Sequence, residues 1–516
     1  MLSEWQWLDQ VRALVLRGDF SSAESALTAA LAQMPRSFEL RRILAGVYHQ
    51  THRTEKAEAL LNKLLSEQPQ DAGSAFALAQ LLISQARPQA AARVMRACFD
   101  SAEALNDAEL AIRTIEMLDA ADCKADAAAI AEHALIATPT DPRLHAYAGM
   151  LQLQLGAFER SREHYLFALE HSPQACEWHV PHGLANAQRY ADISHPDFAL
   201  FRECLRRDGL SDKARSTLLF ALGKAHDDVG DYAQAAMYFR QANILAAGLT
   251  RWSRKEWRRA VEARLASTPI GHRTQFTHDF VPIFIVGMPR SGTTLLAELL
   301  SRYPQVRNRG ELPWIAKLAQ RPDLTGDPSA EALARAATVY SVQARRDDAF
   351  DARWFIDKQP LNFRYVDLML ALFPGAKILY CTRDSRDTAL SLWMQSFTEE
   401  VQGYAYDFNN IVTVMRDCER LKARWERAFA DSVRSICYEK LVNDSQAVVE
   451  ELATWIGLPQ IDGPGRSAEP RSSISTASLW QARQPIYSHS VGRWKRYIPH
   501  LPALLQLQDR LSQPTR

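Results

Sequence analysis

The sequence predicts two classes of structure in one chain, an all-helical array over residues 1–250 and an α/β domain with a parallel sheet over residues 280–516. Two observations support this division. Small residues and prolines recur every thirty-four positions in the first half. Short apolar runs alternate with helical segments from residue 280 onward, as in a parallel sheet covered on both faces. A linker helix over residues 251–279 joins the two parts.

The totals exclude several functional classes. The 516 residues carry 61 Lys and Arg against 60 Asp and Glu, so charge gives no support for nucleic-acid or membrane-surface binding. No apolar run approaches the length of a membrane span, and the amino terminus lacks a basic segment followed by an apolar core. The seven cysteines are scattered without a Cys-x-x-Cys pair, which disfavours a structural zinc site or a disulfide scaffold. We therefore expect a cytoplasmic protein without a membrane span and without a metal.

The first half shows a thirty-four-residue period. Ala23, Ala57 and Ala91 are spaced by this step, and so are Pro35 and Pro69. Small residues allow two helices to pack closely, and a proline ends each unit before the next begins. The period and the small positions resemble the tetratricopeptide repeat, which implies a TPR-like solenoid. Such arrays bind peptides or proteins, so the resemblance implies a protein partner; an array that only stabilises the rest of the chain or forms a dimer is an equal alternative.

The second half begins with a phosphate-binding pattern. The apolar run 283–286 predicts a buried strand, and it is followed by the turn Gly287–Gly292 and a helix that starts at Thr293. The spacing Gly287-x-x-x-x-Gly292 is that of a P-loop, but Thr293-Thr294 replaces the Lys-[Ser/Thr] of nucleoside triphosphatases. The cation lies inside the loop, at Arg290. This pattern favours a phosphorylated group shorter than a triphosphate, held by amides and a helix N-terminus.

Charged or polar residues also follow the next predicted strands. Residues 354–360 predict a strand followed by a turn with Lys358, residues 376–384 predict a strand that ends in charge with Arg383, and residues 435–441 predict a third strand with Tyr438. Ligands of open parallel sheets bind beyond the carboxyl ends of the strands. The sequence therefore predicts one site at this edge.

Residues 281–498 resemble the sulfotransferases that use 3′-phosphoadenosine 5′-phosphosulfate (PAPS), whose 5′-phosphosulfate loop often reads Pro-Arg-Ser-Gly-Thr-Thr. The resemblance implies that PAPS is the cosubstrate and that Arg383 and Ser391 bind its 3′-phosphate, a role suited to a bidentate guanidinium and a hydroxyl donor. It implies the following donor-binding residues: Arg290, Ser291, Gly292, Thr293, Thr294, Arg383, Ser391, Tyr438 and Arg493.

Within that family the chain most resembles the protein-tyrosine sulfotransferases. The resemblance implies that Glu311 is the catalytic base and that Lys358, Ser478 and Arg290 are the other catalytic residues. Three positions depart from the pattern. Gln395 replaces a second 3′-phosphate arginine, Gln484 replaces a lysine, and Arg493 also replaces a lysine.

The reaction implied is sulfuryl transfer from PAPS to an acceptor hydroxyl, with a protein or peptide tyrosine as the favoured acceptor. A hydroxyl of a glycan, a lipid or a small molecule is the alternative acceptor. A P-loop nucleotide-dependent kinase is a further alternative, which would need Lys after Gly292 and an acidic ligand for Mg²⁺ such as Asp384. A catalytically inactive repeat scaffold is a third alternative, and the joint presence of Glu311, Lys358 and Ser478 argues against it.

Overall fold

The computed structural model describes residues 2–270, 280–347, 352–397, 400–459 and 490–512. The chain divides into two compact units, residues 1–152 and residues 153–516. This division groups the chain by packing. The boundaries at residues 250 and 280 follow sequence pattern, and they stay predictions.

The first unit is built from helices. They are α1 (Glu4–Leu16), α2 (Phe20–Gln33), α3 (Phe38–Gln50), α4 (Thr54–Glu67), α5 (Ala72–Ser84), α6 (Pro88–Cys98), α7 (Ala102–Leu105), α8 (Ala108–Ala120), α9 (Lys124–Ala137) and α10 (Pro142–Leu155), which continues into the second unit. The periodic Ala23, Ala57 and Ala91 are all fully buried. Their small side chains therefore lie where neighbouring helices pack, as the thirty-four-residue step predicts.

The second unit begins with further helices. They are α11 (Phe158–His171), α12 (Val180–Asn186), α13 (Pro196–Arg206), α14 (Asp212–Asp228), α15 (Tyr232–Leu249) and α16 (Arg254–Ala266), with a 3₁₀ turn at Pro173–Cys176. Helices α14 and α15 pack closely because Gly223 has no side chain. A Cβ at Gly223 would lie 2.7 Å from the ring of Phe239.

A five-stranded parallel sheet follows. Its strands are β1 (Val281–Gly287), β2 (Val306–Asn308), β3 (Trp354–Asp357), β4 (Lys377–Thr382) and β5 (Val433–Cys437), in the order β2-β3-β1-β4-β5. The central strand β1 is buried on both faces. Phe284 and Val286 belong to one core, and Ile283 and Ile285 belong to the other. The connection after β1 runs to β2 at one edge of the sheet, and the connection after β4 runs to β5 at the other edge. The topological switch point therefore lies between the carboxyl ends of β1 and β4.

Helices connect and flank these strands. They are α17 (Thr293–Leu300), α18 (Trp314–Leu318), α19 (Ala330–Ala344), α20 (Val366–Leu372), α21 (Ser385–Trp393), α22 (Phe408–Ala428), α23 (Tyr438–Asn443), α24 (Ser445–Ile456), α25 (Trp494–Tyr497) and α26 (Leu507–Ser512). Short 3₁₀ segments lie at Pro322–Leu324, Pro360–Tyr365, Glu400–Tyr406 and Pro502–Leu504. Among the described residues, no helix combines the length and the apolar character that crossing a membrane requires.

Helices α14 to α16 share a core with the sheet. Phe220, Phe239 and Trp257 belong to the same buried cluster as Phe284 of β1. Polar contacts reinforce the packing. Asn243 Nδ2 donates to the carbonyl of Trp393 at 2.8 Å, and Trp257 Nε1 donates to a carboxylate oxygen of Asp417 at 3.0 Å. The sheet region is thus built on helices that precede it by tens of residues.

Candidate functional site

The turn between β1 and α17 needs glycine at both ends. Gly287 has φ +137°, and a Cβ there would lie 2.4 Å from the carbonyl oxygen of Cys381. Gly292 has φ +98°, and a Cβ there would lie 2.4 Å from Cδ2 of Tyr438. Both positions combine left-handed backbone with a close approach that only glycine allows. The turn therefore packs directly against the ends of β4 and β5.

Arg290 lies within this turn and has φ +71°, a rare conformation for a residue with a side chain. Its Nε donates to Ser391 Oγ at 2.9 Å, and its carbonyl accepts from Arg383 Nη1 at 3.0 Å. Ser291 stabilises the turn from inside, since its Oγ donates to the carbonyl of Met288 at 2.7 Å. The structure thus joins three predicted donor-binding residues, Arg290, Arg383 and Ser391, by direct hydrogen bonds.

Arg383 is held on a second side. Its Nη2 donates to the carbonyl of Ser490 at 2.5 Å, and its guanidinium carbon lies 4.6 Å from the centre of the Tyr438 ring. The Tyr438 hydroxyl in turn forms a 2.6 Å hydrogen bond with Ser490 Oγ. Arg383 Nε is buried and has no hydrogen-bond partner among the described residues. A buried guanidinium N–H without an acceptor is a position where an anionic ligand oxygen would be stabilised.

Helix α17 completes this end of the site. It begins at Thr293 directly after Gly292, which has no side chain to cap it. The first-turn N–H groups of a helix lack intrahelical partners and carry its partial positive charge. Thr293 and Thr294 lie in this first turn, with Thr293 buried. Amides, two arginines and hydroxyls therefore meet at the switch point of the sheet.

The second half of the site is an ion pair beyond β3. Lys358 Nζ hydrogen-bonds to Glu311 Oε1, with the lysine side chain 4% exposed and the glutamate 25% exposed. The backbone fixes the pair, because the Lys358 N–H donates to the carbonyl of Gly310 at 2.8 Å. A glutamate side chain within hydrogen-bond reach of a substrate hydroxyl can act as a general base.

A buried carboxyl group lies beneath this pair. Asp357 is 1% exposed; its Oδ1 accepts from the Leu312 N–H at 3.3 Å, and its Oδ2 accepts from the Tyr340 hydroxyl at 3.0 Å. Burial raises the pKa of Asp357 to about 7, although both hydrogen bonds lower it. Asp357 thereby anchors the segment that carries Glu311.

Two predicted residues stand apart from these contacts. Ser478 lies outside the described residues, as does Gln484. Arg493 hydrogen-bonds to Asp227 Oδ2 of α14. The catalytic or donor-binding roles given to these residues stay predictions, as do the roles given to the residues that the structure brings together.

Sequence reasoning missed Asp387, and it named Asp384 only as a Mg²⁺ ligand for the kinase alternative. Asp387 accepts hydrogen bonds from the N–H groups of Gly492 at 2.6 Å and Trp494 at 3.0 Å. Asp384 caps α21 and pairs with Arg386 at 2.7 Å. The Arg-Asp-x-Arg-Asp run after β4 was a signal for Asp387, since charged residues after a parallel strand lie at the ligand edge.

The site suits an anionic ligand. Arg290, Arg383 and Lys358 place three cationic side chains at the carboxyl ends of β1, β4 and β3. Within the described parts of the chain, no group of three or more His, Cys, Asp or Glu is arranged to hold a metal ion. The unpartnered Arg383 Nε and the glycine-lined turn fit a phosphorylated ligand that approaches the backbone closely.

Comparison with known proteins agrees with this architecture. Residues 282–462 match the model of the sulfotransferase family, and residues 14–82 and 216–243 match models of the tetratricopeptide repeat. A protein of Aquifex aeolicus that is named only as uncharacterized is 27% identical over 329 residues. That alignment spans 59% of this chain and 42% of the relative, so the chain covers less than half of that protein.

Relatives and solved structures with names were also found. Protein-tyrosine sulfotransferase 1 of Danio rerio is 24% identical over 253 residues, which span 43% of this chain and 68% of that protein. The solved sulfotransferase domain of the Synechococcus PCC 7002 olefin synthase is 21% identical, with a TM-score of 0.34. The match covers 47% of this chain and 98% of the Synechococcus domain.

The matches to the family models confirm both family resemblances read from the sequence and the predicted succession of folds. The chain combines tetratricopeptide repeats with a sulfotransferase-family domain at residues 282–462.

Proposed function

We propose that the protein transfers a sulfuryl group from PAPS to an acceptor hydroxyl. The observation that carries the proposal is the direct joining of Arg290, Ser391 and Arg383 around a glycine-lined turn. The Glu311–Lys358 pair lies beside it, three residues beyond the end of β2 and one residue beyond the end of β3. Family membership of residues 282–462 supports it.

Two sets of residues bind the two ends of PAPS in this proposal. Arg290, the amides of the turn and the first turn of α17 hold the 5′-phosphosulfate end, while Arg383 and Ser391 hold the 3′-phosphate. Guanidinium groups bind such anions in a bidentate manner, and a helix N-terminus adds its dipole. PAPS supplies the sulfuryl group and a phosphate leaving group.

The chain's own residues then handle the proton and the developing charge. The acceptor oxygen forms a bond to sulfur while the bond between sulfur and the bridging oxygen breaks, and the acceptor proton passes to the Glu311 carboxylate. Lys358 and Arg290 stabilise the negative charge that grows on the bridging oxygen, together with Ser478. An ammonium group that is 4% exposed is well placed for this role, because little water screens its charge.

The acceptor that we propose is a tyrosine of a protein or peptide. A phenol has a pKa of about 10, so it needs a base such as Glu311 during attack at neutral pH. The similarity to a protein-tyrosine sulfotransferase and the repeats, which as a class bind peptides and proteins, favour this acceptor. A hydroxyl of a glycan, a lipid or a small molecule is the second candidate.

Two experiments test the proposal. Transfer of labelled sulfate from PAPS to tyrosine peptides, glycans and lipids should give a labelled product with the first class. Absence of transfer to every class would contradict the proposed activity.

A thermal melt separates a sulfotransferase from a kinase. Adenosine 3′,5′-bisphosphate should raise the melting temperature, and Mg-ATP should not, because Thr293 stands where a triphosphate-binding loop has lysine. The reverse pattern would favour the kinase alternative.

A further inference from the structure

A carboxylate of helix α14 holds the segment of residues 490–497, although 266 residues separate the two along the chain. Asp227 Oδ1 accepts a hydrogen bond from the Tyr497 hydroxyl at 2.6 Å, and Asp227 Oδ2 accepts one from Arg493 Nη2. The Asp227 side chain is 11% exposed and that of Arg493 is 26% exposed. The ion pair is therefore mostly removed from water, where its strength depends on both partners.

The opposite side of the same segment contacts the site. The N–H groups of Gly492 and Trp494 donate to Asp387. The carbonyl of Ser490 accepts from Arg383, and the Ser490 hydroxyl bonds to Tyr438. The 490–497 segment thus bridges α14 and the strand ends at which Arg383 and Tyr438 lie.

The segment depends on these outside contacts for its position. Its only helix is α25, four residues long, and so short a helix is not stable by itself in water. Two carboxylates fix it, Asp387 from α21 and Asp227 from α14. Loss of Asp227 removes the acceptor for Arg493 and Tyr497 together, so the segment that carries Ser490 is held on the Asp387 side alone.

We propose that Asp227 is a positioning residue for the donor site, acting through the 490–497 segment on Arg383 and Tyr438. This inference rests on the proposed donor site. It makes a helix that precedes the sulfotransferase-family match a working part of nucleotide binding. The Asp227 carboxylate accepts its hydrogen bonds from Arg493 and Tyr497 of that segment.

The test measures the affinity of the full-length chain for adenosine 3′,5′-bisphosphate by titration calorimetry, well below the melting temperature. Asp227→Ala should weaken binding about tenfold, equivalent to the loss of one charge-assisted contact. Tyr497→Phe, which removes one hydroxyl and keeps the ion pair, should weaken it about threefold and serves if Asp227→Ala does not fold. Asp417→Ala is the matched control, because Asp417 is also a buried carboxylate that joins a preceding helix, α16, to α22.

The affinity of the Asp417→Ala control for the nucleotide should be within about twofold of that of the wild type. Equal losses for Asp227→Ala and Asp417→Ala would overturn the inference, since general destabilisation would then explain both. Unchanged affinity in both Asp227→Ala and Tyr497→Phe would also overturn it.

A second readout does not depend on the ligand. Trypsin should cleave after Arg493 faster in Asp227→Ala than in Asp417→Ala, because the segment is released in the first variant alone. Equal cleavage in the two would overturn the inference. Failure of the wild type to bind the nucleotide, with faster cleavage of Asp227→Ala, would instead refute the proposed donor site and leave the contact between α14 and the segment supported.

Discussion

Substitution of Gly292 by alanine tests most directly the geometry of the turn at residues 287–292, where we propose that the 5′-phosphosulfate binds. Gly292 has φ +98°, and a Cβ there would lie 2.4 Å from Tyr438 Cδ2. The left-handed backbone alone costs an alanine roughly 1–2 kcal/mol. The clash adds a second cost, because the Tyr438 ring must move away from Arg383 and Ser490.

The size of the second cost follows from the contacts of Tyr438. Its hydroxyl bond to Ser490 contributes about 0.5–1.5 kcal/mol, and its cation–π contact with Arg383 contributes about 0.5–1 kcal/mol. Loss of both would weaken nucleotide binding by roughly 1.5 kcal/mol, which is about tenfold. The backbone strain appears in stability, whereas the displaced ring appears in affinity.

Gly457 provides a matched control. It also has left-handed backbone, with φ +84° at the end of α24, but a Cβ there meets nothing within 4 Å. Melting temperature and affinity for adenosine 3′,5′-bisphosphate are measured for Gly292→Ala and Gly457→Ala. Both variants should melt earlier than the wild type. Only Gly292→Ala should lose about tenfold in affinity.

A double variant isolates the contact. In the background of Tyr438→Ala, the ring that clashes is absent, so Gly292→Ala should cost little further affinity. Equal affinity of Gly292→Ala and Gly457→Ala, or full additivity of the two changes at 292 and 438, would refute the reasoning.

Three further predictions concern the rest of the site. Glu311→Ala should lower turnover at least about 100-fold while nucleotide affinity stays within a few-fold, and the exposed Glu331→Ala serves as control; near-normal turnover would remove Glu311 from the role of base. Arg383→Ala should raise the donor KM about tenfold or more and leave the acceptor KM unchanged, whereas an unchanged donor KM would place the 3′-phosphate elsewhere. The pKa of Asp357 is raised from 3.8 to about 7, so the folded protein retains a proton that the unfolded chain releases, and this group makes stability fall as pH rises from about 4 to about 7. Asp357→Asn has no such carboxyl group and does not lose this free energy of unfolding, which amounts to roughly 4 kcal/mol at most. The melting temperature of Asp357→Asn relative to that of the wild type should therefore rise between pH 5 and pH 7. A constant difference between the two melting temperatures would contradict the assignment.

Sequence pattern predicted the parts of the fold that are marked by residues at short or regular spacing along the chain. A strand, a glycine turn and a hydroxyl-rich helix start lie within sixteen residues, so 281–296 indicated a phosphate loop directly. The thirty-four-residue alanine step likewise placed buried helix contacts at Ala23, Ala57 and Ala91. Both patterns follow from chain geometry over a few turns.

The parts that were missed depend on contacts between distant segments. Asp227 and Arg493 carry no local pattern that marks them as partners, and neither do Trp257 and Asp417, which are 160 residues apart. Asp357 likewise has no pattern that marks it as a buried carboxyl group, because its burial against Tyr340 depends on where α19 packs. A single sequence gives propensity and periodicity, but it does not show which distant polar groups pair.

The shared core of α14 to α16 and the sheet has a consequence for how this gene could be shortened or recombined. A fragment starting at residue 281 would keep the whole of the sulfotransferase-family match at residues 282–462, yet it would uncover apolar surface that Phe239 and Trp257 now cover. It would also leave Asp417 without the indole N–H. Exposed surface of this kind promotes aggregation. A fusion that keeps this core intact would therefore require a cut upstream of residue 212, where α14 begins.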